Sequence, residues 1–208
     1  MKGFFKRDCY LLLPNMRLYV GIVALMLFLA LMTDLSRAAT FITMYVFIYM
    51  VAGITGLFSY DNYNHWQAYA AAIPGGRRAM VGARYLLTLL SCGLGALLCL
   101  LLAAAARNEN GAILVVLYSG AALLYAAITL PVCYRFGGDK TRMVMLIVVA
   151  VAAGGMAAGG VTLINNVNVP GGAWALPLGE AAVLPVVGLA ALAVSWRVSL
   201  KIMEAKEL

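Results

Sequence analysis

The stretch AMVGARYLLTLLSCGLGALLCLLLAAAA, residues 79–106, carries a single charge, Arg84, in an otherwise uncharged and mostly apolar run. A hydrocarbon core about 30 Å thick is crossed by roughly 20 helical residues, so this run is long enough to span it. Backbone polar groups in lipid must be satisfied within the segment, which makes the run helical. The short alternating strands of a membrane β-barrel do not dominate anywhere in the chain.

Outward from this run, five further apolar segments follow the same logic: 18–33, 38–59, 112–134, 143–164 and 180–196. The first is slightly short, and Arg17 can snorkel to the interface. The whole chain is 64% hydrophobic and 11% charged, with a mean hydropathy of +0.95. A soluble domain needs more charge than this for its surface. The fold expected is therefore all-α integral membrane, one transmembrane domain over 1–208 with six transmembrane helices. No repeat relates the halves, which argues against an inverted-repeat carrier.

Charge sets the orientation. With the N-terminus inside, the inner segments hold thirteen basic residues: Lys2, Lys6, Arg7, Arg17, Arg77, Arg78, Arg84, Arg135, Lys140, Arg142, Arg197, Lys201 and Lys206. The outer segments hold two, Arg37 and Arg107. Short loops obey the positive-inside rule, so both ends lie in the cytoplasm of a multi-pass chain. The net charge of +7 is thereby explained by topology and lipid headgroups rather than by nucleic acid, for which no basic stripe with interleaved aromatics exists.

Residues 1–14 mix Phe4, Phe5, Tyr10 and Leu11–Leu13 with Lys2, Lys6, Arg7 and Asp8, the composition of a short interfacial helix that Pro14 ends or kinks. Leu11 to Val20 is interrupted by Pro14, Asn15 and Arg17, and no small-residue cleavage site follows, so a cleavable signal peptide is not expected. The four cysteines, Cys9, Cys92, Cys99 and Cys133, form no C-x-x-C pair. They read as free thiols in or near helices.

The segment from Tyr60 to Arg78 is the most informative outside the spans. Asp61 or Asn62 could cap a helix over roughly 63–72, with Trp66, Tyr69, Ala70 and Ile73 on one apolar face, before Pro74-Gly75-Gly76 breaks it. Two readings fit: an interfacial helix anchored by Trp and Tyr, or a cytoplasmic docking surface for a partner. His65 is the sole histidine, without Cys, Asp or Glu at ligand spacing, so a surface contact with Asp61 four residues earlier is expected rather than a metal or catalytic role.

Between the fourth and fifth spans, Gly138-Asp139-Lys140-Thr141 lacks the spacing of a phosphate loop. Arg135, Phe136, Gly137, Lys140 and Arg142 read instead as a tight cytoplasmic turn facing headgroups. Gly155 and Gly159 form a G-x-x-x-G that lets helices pack closely. Ionisable residues inside the spans are nearly absent, with Glu180 at an outer edge, which weighs against proton-coupled transport. Thr88, Ser91, Thr129 and Thr162 are expected to bond from helix to helix. The outer loop 165–179 has no charge, and its Trp174 suits interfacial depth. No G-x-S-x-G exists and one His cannot make H-E-x-x-H, so neither a hydrolase nor a zinc enzyme is expected.

Several segments together resemble the small six-span permease subunits of bacterial ABC-2 type ABC transporters, in particular exporters of phenol-soluble modulins and peptide-antibiotic resistance permeases. They are the opening Met1–Tyr10; Ile73-Pro74-Gly75-Gly76-Arg77-Arg78 with Arg84-Tyr85-Leu86; Pro131-Val132-Cys133-Tyr134-Arg135-Phe136-Gly137 with Asp139, Lys140 and Arg142; and the ending from Ser195 to Glu207. The chain departs from the family at Gly75-Gly76, where bulkier residues and a Ser or Thr are commoner.

The resemblance implies a permease that does no chemistry and binds no cofactor, with ATP and Mg on a separate ATP-binding subunit. A second permease subunit, identical or paralogous, would complete the pathway for an amphipathic or hydrophobic cargo in the bacterial cell membrane. The first helix would be the interfacial elbow. A coupling helix between spans two and three, carried by Asp61, Asn62, Tyr63, Asn64, His65, Trp66, Gln67 and Tyr69, would enter a cleft of the ATPase. Without the resemblance, a stand-alone membrane protein (a secondary carrier or a peptide-immunity protein) fits the same topology.

Overall fold

The computed structural model describes residues 2–32, 39, 42–43, 45–47, 53, 56–61, 63–64, 66–107, 111–136 and 182–205. Their continuous elements are all helices: α1 (Lys2–Met32), α2 (Trp66–Ala72), α3 (Gly76–Ala105), α4 (Gly111–Phe136) and α5 (Val183–Ala205). Among the described residues, α3, α4 and α5 are long and apolar enough to cross a membrane. The expected fifth span, 143–164, lies outside the described residues.

Helix α3 shows why these helices pack as they do. Val81, Arg84, Tyr85, Thr88, Cys92, Gly95, Cys99 and Ala103 are buried and recur every three or four residues. Leu86, Leu89, Leu90, Leu94, Leu97, Leu98 and Leu101 point outward and are exposed. In water that leucine face would be a defect, whereas lipid tails solvate it at no cost, and the small inward residues let neighbouring helices approach. The tightest approach joins α4 to α5. A Cβ on Gly120 would stand 2.7 Å from the Pro185 backbone nitrogen, and one on Gly188 would stand 2.9 Å from the Leu123 Cβ. The G-x-x-x-G expected to serve this purpose, Gly155 and Gly159, lies outside the described residues.

Four helix boundaries differ from the sequence reading. Helix α1 runs through Pro14 without a break. The ring removes only the donor to the Tyr10 carbonyl, and Tyr10 is exposed, so water or headgroups can serve that oxygen. Helix α3 begins at Gly76, three residues earlier than expected. Helix α5 continues to Ala205, nine residues past the expected end of the sixth span at 196. Helix α4 passes through Pro131 to Phe136.

Pro131 has a specific compensation. With no N–H, it cannot serve the Ala127 carbonyl four residues back, and the Ser195 hydroxyl of α5 donates to that carbonyl instead, at 2.6 Å. The Tyr85 hydroxyl lies 2.7 Å from Ser195 Oγ and 2.8 Å from Ser199 Oγ. Each hydroxyl has one proton, and the Ser195 proton is committed, so the direction is fixed. Ser199 donates to Tyr85, Tyr85 to Ser195, and Ser195 to Ala127. This buried chain ties α3, α4 and α5 together. The expected interhelical donors behave differently: Thr88 donates to the Arg84 carbonyl, Ser91 to the Thr88 carbonyl, and Thr129 to the Tyr125 carbonyl. Each of those bonds stays within its own helix, and Thr162 lies outside the described residues. Cys92, Cys99 and Cys133 are buried, and Cys9 is half-buried.

Ser195→Ala should cost about 1–3 kcal/mol, because it orphans a buried carbonyl. In a Pro131→Ala background the helix supplies its own donor, so the same change should cost clearly less. Thermal unfolding of the four proteins in detergent measures the difference. Equal costs in both backgrounds would refute the compensation.

Candidate partner-docking site

The N-termini of α1 and α3 and the C-termini of α4 and α5 meet at one end of the bundle, which also carries Arg77, Arg78, Arg84 and Arg135. Arg78 Nε donates to Glu204 Oε1 at 2.9 Å, and Arg77 Nη1 donates to the Glu204 carbonyl at 3.0 Å. These contacts close α3 on α5 around a cavity of about 340 Å³ lined by Ala72, Pro74, Gly75 and the three charged side chains. Residues 56–61 are helical and lead into this end, and α2 follows after Tyr63 and Asn64.

The turn from α2 into α3 explains the glycine pair. Gly75 has φ +71°, in the left-handed region that glycine enters without a Cβ penalty. A Cβ on Gly76 would stand 2.2 Å from the Ala70 carbonyl oxygen. The departure from the resembled family at these two positions thus coincides with a reversal too close for a side chain.

Beneath this turn lies a buried charge cluster. Asp61 is fully buried. Its Oδ1 accepts from Arg7 Nη2 at 2.6 Å, and its Oδ2 accepts from Arg84 Nη2. Asp8, also buried, has Oδ2 at 3.6 Å from Arg84 Nε and Oδ1 at 3.3 Å from Arg7 Nη1. The Arg84 guanidinium sits 4.0 Å over the Phe58 ring and 5.9 Å from the Tyr134 ring. Those two rings meet edge to face at 4.9 Å. Arg7 caps the cluster on its outer side, 4.0 Å over the Trp66 ring, and Trp66 stacks on Tyr69 at 4.8 Å. Two cations and two carboxylates thus share a desolvated site with aromatic walls. Burial pushes the Asp8 carboxyl above the usual carboxylate value, with Asp61 adding to it and Arg84 and Arg7 opposing.

The expected site residues therefore divide. Asp61, expected as a helix cap and as part of an outward-facing segment, is turned inward, and both its oxygens are committed to Arg7 and Arg84. Trp66 is half-buried, while Tyr63 is 85% exposed and Tyr69 57% exposed. Asn64 is also exposed. Gln67 lies in α2, which begins at Trp66 rather than at residue 63. Arg77 is half-buried, Arg78 exposed, and Arg135 stands 5.4 Å over the exposed Phe136 ring. Asn62, His65, Gly137, Lys140 and Arg142 lie outside the described residues.

Asp8 and Asp61 lie outside the expected spans, and the fold brings both of them to Arg84. The sequence held a signal for this: the lone charge in the run 79–106 demands a partner. Arg7, Asp8, Phe58 and Tyr134 complete the site and were not singled out for it.

A family model for ABC-2 family transporter proteins matches residues 3–204, and the chain belongs to that family. It is an ABC-2 type permease, a membrane transport component. Neither the curated proteins nor the solved structures include a match to it.

Two outcomes test the cluster. Asp61→Asn removes the carboxylate that Arg84 and Arg7 share, leaving Asp8 alone to face both cations, and should cost about 3–5 kcal/mol in detergent unfolding, as for other broken buried pairs. For Asp8 the sign follows from its raised carboxyl. The folded protein holds that proton more tightly than the unfolded chain, so the associated stability is present below the ordinary carboxylate value and is lost as pH rises through the folded value. As pH rises through that range the wild type should therefore lose stability relative to Asp8→Asn, and a constant gap would contradict the assignment.

Proposed function

We propose that the chain is the membrane-spanning subunit of an ATP-driven exporter and that it docks a separate ATP-binding subunit through the exposed aromatic segment 63–72. One observation carries the reading: outside the spans, at the basic end of the bundle, Tyr63 and Tyr69 stand exposed on a turn braced from below by buried ion pairs. A braced, protruding aromatic surface suits a protein partner better than a lipid anchor, because an anchor needs no buried support. Aromatic residues at such surfaces also carry a large share of interface energy. ABC-2 permeases work with an ATP-binding subunit, and the positive-inside rule places the basic end in the cytoplasm, where ATP is found.

The packing also supports six spans. Helices α4 and α5 both end at the basic end, so a return crossing fits between them. Helix α1 starts there and residues 56–61 arrive there, so another fits between those two. The whole chain then forms one permease domain with both termini inside the bacterial cell membrane. It performs no catalysis and binds no cofactor; ATP and Mg belong to the partner. A second permease subunit, identical or paralogous, completes the pathway. The leucine-rich, nearly uncharged spans suit an amphipathic or hydrophobic cargo, and a peptide agrees with the resemblance to modulin exporters and resistance permeases.

Co-expression with the ATP-binding protein encoded beside it tests the reading. The two should co-purify in mild detergent. Replacing Tyr63, which is 85% exposed, with Asp should weaken the complex about tenfold or more while leaving the melting temperature of the permease unchanged. Undiminished co-purification and ATP hydrolysis in that variant would refute the docking surface. A chain that purifies alone beside a properly folded neighbour would instead favour a stand-alone carrier or immunity protein.

A further inference from the structure

We propose that Arg84 is a positioning residue for transport: with Asp61 it makes the N-terminal helix, the docking segment and the start of α3 open and close as one cooperative unit. The inference rests on the docking reading only for the origin of the force; the junction itself is a property of the permease. Three observations carry it.

The first is connectivity. The Arg84 guanidinium is held by Asp61 of the helical segment 56–61 and faces Asp8 of α1 at 3.6 Å. It rests against Phe58 and Tyr134. Arg7 returns from α1 to the same Asp61 and covers Trp66 of α2. Displacing α2 therefore loads Arg7, Asp61 and then Arg84, and it cannot leave α1 behind.

The second is energetic. Side chains of Asp61 and Arg84 have 0% and 1% exposure. Separating such a pair without water exposes each charge to a low-dielectric interior, so the pair resists partial opening far more than a surface pair does. A contact that is closed or fully broken, and rarely between, transmits displacement instead of absorbing it.

The third is incompleteness. Arg84 Nε and Nη1 have no hydrogen-bond acceptor among the described residues, although both are buried. The Asp8 carboxylate stands just beyond hydrogen-bonding reach of Nε. An approach of a few tenths of an ångström would make that bond, so the guanidinium keeps capacity for a closer contact with α1. The next residue, Tyr85, enters the hydroxyl chain with α5. One turn of α3 therefore joins the docking side to the spanning bundle.

Hydrogen–deuterium exchange of the detergent-purified permease tests this. Asp61→Asn should accelerate exchange about tenfold, by a common factor, in peptides covering 2–13, 56–72 and 76–88. Tyr85→Phe should accelerate exchange in α5 and leave 2–13 at the wild-type rate. If Asp61→Asn does not yield folded protein, Arg84→Lys, which keeps the charge but loses the planar fork, should show the same three-segment pattern at smaller amplitude. Acceleration confined to 56–72 in either variant would overturn the proposal, since a merely local structural role predicts that result.

In complex with the ATP-binding subunit, an ATP-dependent change at 66–72 should reach 2–13 in the wild type and stop short of it in Arg84→Lys. Undiminished spread in Arg84→Lys would likewise overturn it. If no complex forms, the docking reading falls and the exchange pattern of the isolated permease still decides the junction.

Discussion

An arginine placed inside an apolar helix must find an anion, and the meeting of Arg84 with Asp61 organises the basic end of this protein. Lipid offers neither water nor counter-ions, so the guanidinium is tolerable only where the fold brings carboxylates to it. Asp61 lies 23 residues away along the chain, and Asp8 arrives from α1. That requirement dictates that α1 starts beside α3, that the helical segment 56–61 ends against both, and that Phe58 and Tyr134 close the walls. The aromatic rings add cation–π attraction, worth more in a desolvated site than at a surface. Removing charge from all four positions together could leave a stable bundle, which points to specificity of arrangement as the gain.

The apolar middle of the protein obeys a different rule. Lipid tails are as apolar as leucine, so burying leucine gains little there, and the helices are held by close backbone approach and by hydroxyl hydrogen bonds. Gly120 and Gly188 supply the approach between α4 and α5. The chain Ser199–Tyr85–Ser195–Ala127 supplies the bonds, and it exists because Pro131 leaves a carbonyl vacant. A residue usually read as a helix breaker thus provides the acceptor that docks a neighbouring helix.

The spanning helices α3, α4 and α5 were legible in the sequence because bilayer thickness and the absence of charge leave few alternatives for runs such as 79–106. Membership of the ABC-2 family was legible from the order of several weak motifs. Helix ends were less so: the Arg197–Ala205 stretch looks polar, yet its Ser199 and Met203 face inward and extend α5 past the apolar run. The acidic partners of Arg84 were hidden for another reason. Asp8 and Asp61 sit in locally polar, aromatic stretches where an exposed position is the ordinary expectation, and only a contact between segments far apart in the chain reverses it. Asp61 read naturally as a cap because a cap is a local interaction, and local interactions are what a single sequence displays best.

Arg77 and Arg78 occupy the first turn of α3, where unsatisfied N–H groups concentrate partial positive charge and cations are unfavourable. Helix α5 ends beside them and presents the opposite polarity through its unsatisfied carbonyls. Arg77 donates to one of those carbonyls, on Glu204, and Arg78 takes the Glu204 side chain. The dipoles of two antiparallel helices are thus connected at their ends through side chains, each cancelling what the other leaves unbalanced. Electrically, α3 and α5 form a closed circuit on the basic face, and the positive charge left for headgroups or a protein partner is smaller there than a count of arginines suggests.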